Sequence, residues 1–375
     1  MTKQARTASH RGTVTGYVFK LIRESIPTTQ EQLASHLGVD RATVQSWESG
    51  RRPFTSVAFG QAITIRHKLA RLGADGSLIA ALDDAAETDF ILSAVLDPNP
   101  ATADIGGHPL GWSVLTHPLT DLLMWAVIGQ PPTLIKGVQA PSDRRRGPVA
   151  SGPTLGAGEQ RAFFANLHVL ADRTSRHDHR QVLLHRQACF LAGMDPSRAS
   201  AAWLGQIGVD STHHATFHTW SPLWPDARSV ATSLAKQGDP ELLRDFIARA
   251  HPDDACERAG LNYWAYWVGE IGARQRDDSF MTAATPTWRG TRLLRHLTHR
   301  LDDSHPFIDL NIHSVWALLA ARRGIARDDL ATGRTLLDRS AMLLDSGDIS
   351  EQSKRELASI VYSLRTDGLT GTGTI

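Results

Sequence analysis

The segment 29–53 restricts the local fold more than any other part of this 375-residue chain. Thr29 and Gln32 have the spacing of a capping box, in which each side chain accepts a backbone N–H at the start of a helix. That helix should end at Gly38, because a residue without a Cβ can adopt the left-handed backbone of a sharp helix exit. Asp40 then offers the N-cap of another helix. The segment therefore predicts two short helices joined by a tight turn.

Apolar residues recur at helical spacing along most of the chain, and the alternation typical of strands is hard to find. In the N-terminal part this pattern predicts helices over 16–25, 57–72, 77–96 (as one or two helices) and 119–128, with Phe59, Ile63 and Leu69 as core residues. From residue 159 onward the pattern is almost entirely helical. We therefore predict an all-α fold, with an N-terminal domain of short helices and a C-terminal domain that is either a tetratricopeptide-like solenoid or a helix bundle.

The formal net charge of +1 hides an uneven distribution along the chain. Residues 1–73 hold 11 Lys and Arg against 4 Asp and Glu, a net charge of +7. Residues 74–150 hold 4 against 9, a net charge of −5. A basic segment of this kind is where a polyanion such as a nucleic acid binds.

Several classes of protein are excluded by what the sequence lacks. No apolar run approaches the roughly 18 to 20 residues of a membrane-spanning helix, and the best candidate, 122–128, is much shorter. Residues 1–16 are polar and basic, without the apolar segment of a secretory signal. The two cysteines, Cys189 and Cys256, form no Cys-x-x-Cys pair. We therefore expect a cytoplasmic protein with no membrane partner, no disulfide framework and no zinc ribbon.

The segment 29–53, TQEQLASHLGVDRATVQSWESGRRP, resembles the Cro/lambda-repressor-type helix-turn-helix regulators, also called the xenobiotic-response-element (XRE) family. The resemblance covers about residues 16–73 and depends on the following residues taken together: Gln30, Leu33, Ala34, Gly38, Val44, Trp47, Glu48, Gly50 and Pro53. It implies an N-terminal helix-turn-helix DNA-binding domain. The third helix of that domain would enter the major groove of DNA, with Val44 and Trp47 on its inner face.

Residues at the start of the predicted third helix have side chains suited to reading base pairs. Arg41 can pair with guanine O6 and N7, Gln45 can pair with adenine, and Ala42 or Thr43 can present a methyl group to thymine. We therefore predict that the base-reading residues are Arg41, Ala42, Thr43, Gln45 and Ser46. Phosphate contacts are expected from Gln30, Arg51 and Arg52. The alternative is that these polar side chains are ordinary solvated surface residues.

These patterns divide the chain into five predicted regions. They are a flexible basic arm over 1–15, the helix-turn-helix domain over 16–73, a helical connecting or dimerisation region over 74–128, a Gly/Pro-rich linker or loop over 129–158, and a helical sensing or interaction domain over 159–375. The linker contains Arg144–Arg146, which we interpret as part of a solvated segment, with a DNA contact as the alternative.

An aromatic-rich stretch at 261–270 contains Tyr263, Trp264, Tyr266 and Trp267. Four aromatic residues within five positions cover most of the circumference of a helix, which predicts that the helix is buried. Aromatic side chains with hydroxyl or indole donors also line ligand pockets. A packed core and a ligand pocket formed by Tyr263, Trp264 and Trp267 are therefore two alternative interpretations.

Histidines that lie close together in the sequence raise the question of a metal site. The sets are His177 with His179, His213 and His214 with His218, and His296 with His299. We find no complete four-ligand set among them, so we predict no metal and no cofactor. The chain has no Gly-rich phosphate loop, no nucleophile elbow and no His-Glu-x-x-His motif, so we predict no catalytic residues and no enzymatic activity.

Together these features predict a sequence-specific DNA-binding transcriptional regulator that binds double-stranded operator DNA and is associated with the nucleoid. Because one recognition helix contacts only a few base pairs, we expect a homodimer on paired half-sites. The C-terminal domain would sense a small-molecule, peptide or protein effector, or would form the dimer. The alternative is a protein-interaction module, either a helical-repeat scaffold or antitoxin-like, whose DNA-binding domain only localises it.

Overall fold

The computed structural model describes residues 12–97, 99–102, 104–136, 152–175, 177–214, 220–221, 223–249, 253–284, 288–346 and 348–369. Every regular element in these ranges is a helix, which confirms the predicted all-α fold. No helix within them has the length and apolar character needed to cross a membrane. Contacts divide the chain into two compact units. The first unit extends to Pro109 and includes His117–Val169, and the second comprises Leu110–Thr116 and the chain from Leu170 onward.

The first unit contains α-helices that range from four to 20 residues in the described part of the chain. In chain order these are α1 (Thr13–Ser25), α2 (Gln30–Leu37), α3 (Arg41–Glu48), α4 (Phe59–Arg71), α5 (Gly76–Val95), α6 (His117–Ile128), α7 (Thr133–Lys136) and most of α8 (Ala157–Arg173). The segment predicted as one or two helices over 77–96 is a single helix, α5.

The second unit contains the remaining helices of the chain. They are α9 (Val182–Ala192), α10 (Arg198–His214), α11 (Leu223–Lys236), α12 (Glu241–Arg249), α13 (Asp254–Trp267), α14 (Thr291–His299), α15 (Ile308–Ala321), α16 (Ile325–Asp328), α17 (Leu330–Ser346) and α18 (Glu351–Thr366). In a solenoid, each repeat contacts only its neighbours along the chain. Here α15 packs against α12, α13, α14 and α18. The second unit therefore has the packing of an irregular helix bundle.

α1 begins at Thr13, three residues before the predicted start at Gly16, because a distant side chain caps it. Asp89 of α5 accepts hydrogen bonds from the backbone N–H groups of Val14 (2.9 Å) and Thr15 (3.0 Å) and from the Thr15 hydroxyl (2.6 Å). Burial raises the pKa of Asp89 to about 6, although these hydrogen bonds act in the opposite direction. A cap from another helix leaves no local signal near α1.

The structure corrects the predicted core of α4. Leu69 is buried as expected, but Phe59 is 82% exposed and Ile63 is 40% exposed. The buried residues of α4 are Ile65 and Leu69, which lie on one narrow face of the helix. The spacing of apolar residues did not show which of them lie on that face. Phe59 and Ile63 form an exposed apolar pair one helical turn apart, here called the α4 apolar pair.

The predicted region boundaries fall partly outside the described residues. Of the predicted arm, residues 1–11 lie outside them, and residues 13–15 belong to α1. Of the predicted linker, residues 137–151 lie outside them, including Arg144–Arg146. The five regions therefore remain predictions.

Candidate nucleic-acid interface

The turn between α2 and α3 has the local geometry that the sequence predicts. The Gln32 N–H donates to Thr29 Oγ1 over 3.2 Å and the Thr29 N–H donates to Gln32 Oε1 over 2.9 Å, which completes the capping box. Gly38 ends α2 with φ of +76°, a left-handed conformation that favours glycine. Asp40 occupies the N-cap position of α3, but its side chain makes no capping hydrogen bond. The backbone and Gly38 therefore set this turn.

The inner face of α3 packs on α1 through aromatic contacts. Val44 is fully buried and Trp47 is 2% exposed. The Trp47 ring meets Phe19 and Phe54 edge-on, with centroids 5.6 and 5.5 Å away. At Gly16 the backbone of α1 comes so near that a Cβ would lie 2.4 Å from the Trp47 carbonyl oxygen. These contacts fix the orientation of α3 and so decide which of its residues face solvent.

A buried ionic contact joins the end of α3 to α1 and α2. The Glu48 carboxylate accepts from Arg23 Nε over 2.5 Å and from Gln30 Nε2 over 2.6 Å. The Arg23 and Glu48 side chains are 13% and 5% exposed. Sequence analysis identified Glu48 only as part of the motif and did not identify Arg23. The only local hint was an arginine near the end of the predicted first helix.

The solvent-facing side of α3 presents the residues that were predicted to read bases. Arg41, Ala42 and Gln45 are exposed, and Thr43 and Ser46 are partly exposed. Arg41, Ala42, Gln45 and Ser46 lie in the first two turns of the helix on the side away from Val44 and Trp47, whereas Thr43 lies at the edge of the inner face. An exposed guanidinium and carboxamide on a helix that is itself held rigidly can meet the floor of a groove without rearrangement of the protein backbone.

The comparison with known proteins concerns this same segment. Residues 19–56 match a family model described as Helix-turn-helix. Residues 19–56 therefore contain a helix-turn-helix, the motif that the sequence resemblance implies. The match begins within α1, includes α2, the Gly38 turn and α3, and ends in the short helical turn Phe54–Ser56. No curated protein and no solved structure matches this chain.

The residues predicted to hold phosphates occupy the edges of the helix-turn-helix. Arg51 and Arg52 are exposed, with Arg51 Nε donating to Ser49 Oγ over 3.2 Å. Gln30 differs, because its amide nitrogen donates one hydrogen to Glu48. A carboxamide nitrogen has two hydrogens, so Gln30 retains one for a phosphate. A Gln30 contact with DNA would therefore be added to its contact with Glu48.

Outside the helix-turn-helix, the aromatic stretch predicted as core or pocket lies on α13. Tyr263 and Trp264 are 6% and 5% exposed, whereas Trp267 is half-buried. The Arg228 guanidinium of α11 lies 4.6 Å from the Tyr263 ring centroid and 4.8 Å from that of Trp264. The Trp264 indole N–H donates to Ser314 Oγ over 2.9 Å. These two aromatic residues therefore pack against a buried cation and a hydroxyl group.

A cavity of about 10 Å³ borders Trp264, enough for a single water molecule. Its other lining residues include Arg228, Glu257 and His313, whereas Tyr263 and Trp267 do not line it. Burial alone would lower the pKa of His313, but the carboxylates of Glu257 and Glu356 outweigh that effect and raise it to about 9. An effector could enter beside Trp264 only if these side chains moved.

Proposed function

We propose that this protein is a transcriptional regulator that recognises a specific DNA sequence by placing α3 in the major groove. One observation carries the proposal. The segment that matches the helix-turn-helix family is also the segment where exposed polar side chains stand opposite a tightly packed inner face. The basic charge of residues 1–73, with 11 Lys and Arg against 4 Asp and Glu, supports binding to a polyanion.

Within that proposal the residues of α3 and its flanks have separate tasks. Arg41, Ala42, Thr43, Gln45 and Ser46 contact base edges and so determine which sequence is bound. Gln30, Arg51 and Arg52 contact phosphates, which set the position of the domain on the duplex without selecting a sequence. Arg41 and Gln45 carry most of the discrimination, because only they can form bidentate pairs with a purine.

We further propose that the protein is a homodimer that binds two half-sites. The α4 apolar pair supports this, since Phe59 is 82% exposed and Ile63 is 40% exposed in the same unit as the helix-turn-helix. A second copy that covers this pair would hold two α3 helices at a fixed separation. Sedimentation tests it: the wild type should be a dimer and the Phe59→Ser, Ile63→Ser double variant a monomer. Tyr362→Ser, at another exposed apolar residue, is the matched control and should remain a dimer.

For the second unit we propose that it senses an effector. The alternative is that it is a protein-interaction module, and one observation favours this alternative. A groove of about 290 Å³ is lined by residues of α15 and α18 and of the segments that follow them, among them Trp316, Leu319, Arg323, Ile360 and Asp367. It is far larger than the cavity at Trp264. If a partner protein binds there, Leu319→Arg should abolish regulation in cells while operator binding in vitro stays unchanged. If regulation is also unchanged, the interaction-module alternative fails.

The experiment that tests the central proposal is selection of bound duplexes from a random DNA pool, together with mapping of bound sites across the genome. We expect one enriched motif made of two related half-sites, shared by both measurements. The Arg41→Ala, Gln45→Ala double variant is the control, because it keeps the fold of α3 and removes both bidentate side chains. If the wild type enriches no motif, or if the double variant enriches the same motif, the proposal is wrong.

A further inference from the structure

Three metal-binding side chains meet in the core of the second unit. His185 and Cys189 lie four residues apart on one face of α9, and Asp226 faces them from α11. His185 Nε2 is 3.7 Å from Cys189 Sγ and 4.0 Å from Asp226 Oδ1, and the three atoms all lie within 4.8 Å of one another. The three residues are 6%, 0% and 1% exposed. They are here called the His-Cys-Asp cluster.

The hydrogen-bond partner of Nδ1 indicates which nitrogen of the His185 ring carries the hydrogen. Nδ1 lies 3.1 Å from the Ala171 carbonyl oxygen, which can only accept a hydrogen bond, so Nδ1 carries the hydrogen. Thr174 Oγ1 lies 3.2 Å from the same nitrogen. The lone pair of a neutral ring is then on Nε2, directed towards Cys189 and Asp226. A histidine whose Nδ1–H is held by a backbone carbonyl has the arrangement typical of metal ligands.

The Asp226 carboxylate has an unsatisfied oxygen within the cluster. Its Oδ1 is buried and accepts no hydrogen bond. The nearby Arg186 guanidinium does not satisfy it, because Arg186 pairs with Asp278 over 2.8 Å. A buried carboxylate oxygen without a donor is costly unless a cation binds it. The cluster thus combines a free imidazole lone pair, a thiol sulfur and a carboxylate oxygen that lacks a partner.

We propose that His185, Cys189 and Asp226 bind a divalent, thiophilic transition-metal ion of the zinc class. A tetrahedral zinc ion with bonds of about 2.0 Å to nitrogen and about 2.3 Å to sulfur holds those two atoms about 3.5 Å apart. The separations of 3.7 and 4.0 Å around Nε2 need only small side-chain rotations to reach that geometry. Binding converts the Cys189 thiol to a thiolate, whose proton passes to solvent, and joins α9 to α11.

A catalytic Cys-His-Asp triad would need a different arrangement of the same residues. In a triad the nucleophile lies at one ring nitrogen and the orienting acid lies at the other. In this cluster the sulfur and the carboxylate both face Nε2, and a backbone carbonyl occupies Nδ1. Three ligand atoms that lie close enough to share one cation have the arrangement of a metal site and not that of a proton relay.

The histidine sets considered from the sequence did not include this cluster. Its only local signal is the spacing of His185 and Cys189 on one helix, and the third ligand lies 37 residues further along the chain. Of the sets considered, the side chains of His213, His214 and His218 lie outside the described residues.

Cobalt titration of the reduced, metal-stripped full-length protein tests the site. We expect one Co²⁺ per chain, with a thiolate-to-cobalt charge-transfer band in the ultraviolet and the strong visible bands of tetrahedral coordination, and we expect Zn²⁺ to displace it. Cys256→Ser is the matched control, because the other cysteine is also buried and no His185-like partner faces it among the described residues. This control should keep both sets of bands, and Cys189→Ser should lose the charge-transfer band.

Two further variants keep the test decisive if Cys189→Ser does not fold. Asp226→Asn retains shape but weakens the ligand, and Thr174→Val removes a hydroxyl that supports the ring, so each should weaken Co²⁺ binding by about tenfold or more. Circular dichroism should show an unchanged helix content for both. The proposal is wrong if the wild type gives no charge-transfer band, if Cys256→Ser removes that band, or if Asp226→Asn binds Co²⁺ as tightly as the wild type.

Discussion

The two units differ in where their polar and charged side chains lie. In the first unit the predicted base-reading side chains of α3 lie on or near the surface, and the described buried ionic groups are Asp89, which caps α1, and the Arg23–Glu48 pair. In the second unit ionic groups are distributed through the core, among them Arg186, Asp278, Arg228, His313 and Asp226. Surface chemistry depends on side chains that are near one another in sequence. Core chemistry depends on partners that only the folded chain brings together.

Exposed and buried charges also differ in how much their replacement changes the stability of the fold. Exposed charges are screened by water, so the polar face of α3 can be changed for a new DNA sequence at little cost to stability. A charge in the core is stabilised only by its partner, so changing either member destabilises the fold. We therefore expect the first unit to respond to substitution mainly in binding and the second unit mainly in stability.

The largest expected effect is the loss of a buried ion pair in the second unit. Arg186 and Asp278 are 3% and 7% exposed, so Asp278→Asn leaves an unpaired guanidinium in the core. We expect a loss of about 3 to 5 kcal/mol in the free energy of unfolding, measured by urea denaturation. The matched control is Asp83→Asn in the first unit, where the Arg66–Asp83 pair is 34% and 72% exposed, and we expect a loss below about 1 kcal/mol. Equal losses in the two variants would remove the contrast between the units.

The next effect is a pH dependence that arises in the second unit. His313 lies 2.9 Å from Glu356 and 3.2 Å from Glu257, and its pKa is raised from 6.5 to about 9. Because the folded state holds this proton more tightly, the stabilisation is complete below pH 6.5 and is lost as the pH rises through about 9. The decline should total about 3 kcal/mol. His313→Gln should flatten the denaturation profile over that range, and parallel profiles would contradict the assignment.

The first unit has a similar dependence in a more acidic range. The pKa of Asp89 is raised from 3.8 to about 6, so its contribution to stability is complete below pH 3.8 and is lost as the pH rises through about 6. We expect a change of about 3 kcal/mol at the start of α1, detected by amide hydrogen exchange of α1. Asp89→Asn should remove the dependence. If α1 exchange is equally pH-dependent in both proteins, another group controls it.

The sequence predicted those features of each unit that depend on residues close together in the chain, and it did not predict features that depend on distant residues. The capping box at Thr29, the turn at Gly38 and the inward Trp47 are encoded within a few residues, and the structure has all three. The Asp89 cap and the Arg23–Glu48 pair are long-range contacts, and sequence analysis did not identify them.

The same argument explains the errors and omissions elsewhere. Periodicity on α4 identified Leu69 as core but could not tell which face the rest of the protein covers, so Phe59 and Ile63 were assigned wrongly. The His-Cys-Asp cluster needs two helices to pack before its third ligand, Asp226, is in place. Base-reading residues such as Arg41 were predicted from local pattern and resemblance, and that prediction is still to be tested.

The smallest expected effect is a change in the free energy of DNA binding when exposed residues of the first unit are replaced. If Arg41 forms a bidentate pair with guanine, Arg41→Ala should weaken binding to the selected operator by about 1 to 3 kcal/mol, with a much smaller loss on scrambled DNA. If Arg51 and Arg52 contact phosphates, replacing either by Ala should weaken binding to both duplexes alike. It should also reduce the slope of log affinity against log salt by about one, because one fewer counterion is released.

Measuring the three variants on operator and scrambled duplexes across a salt series separates base reading from positioning. All three side chains are exposed, so none of the substitutions should change the free energy of unfolding by more than about 0.5 kcal/mol. Binding losses can then be attributed to lost contacts with DNA. If Arg41→Ala keeps the full preference for the operator, α3 lies in the groove in a different register from the one proposed. If none of the three variants changes binding, another surface of the protein contacts DNA and the proposed role of the first unit is wrong.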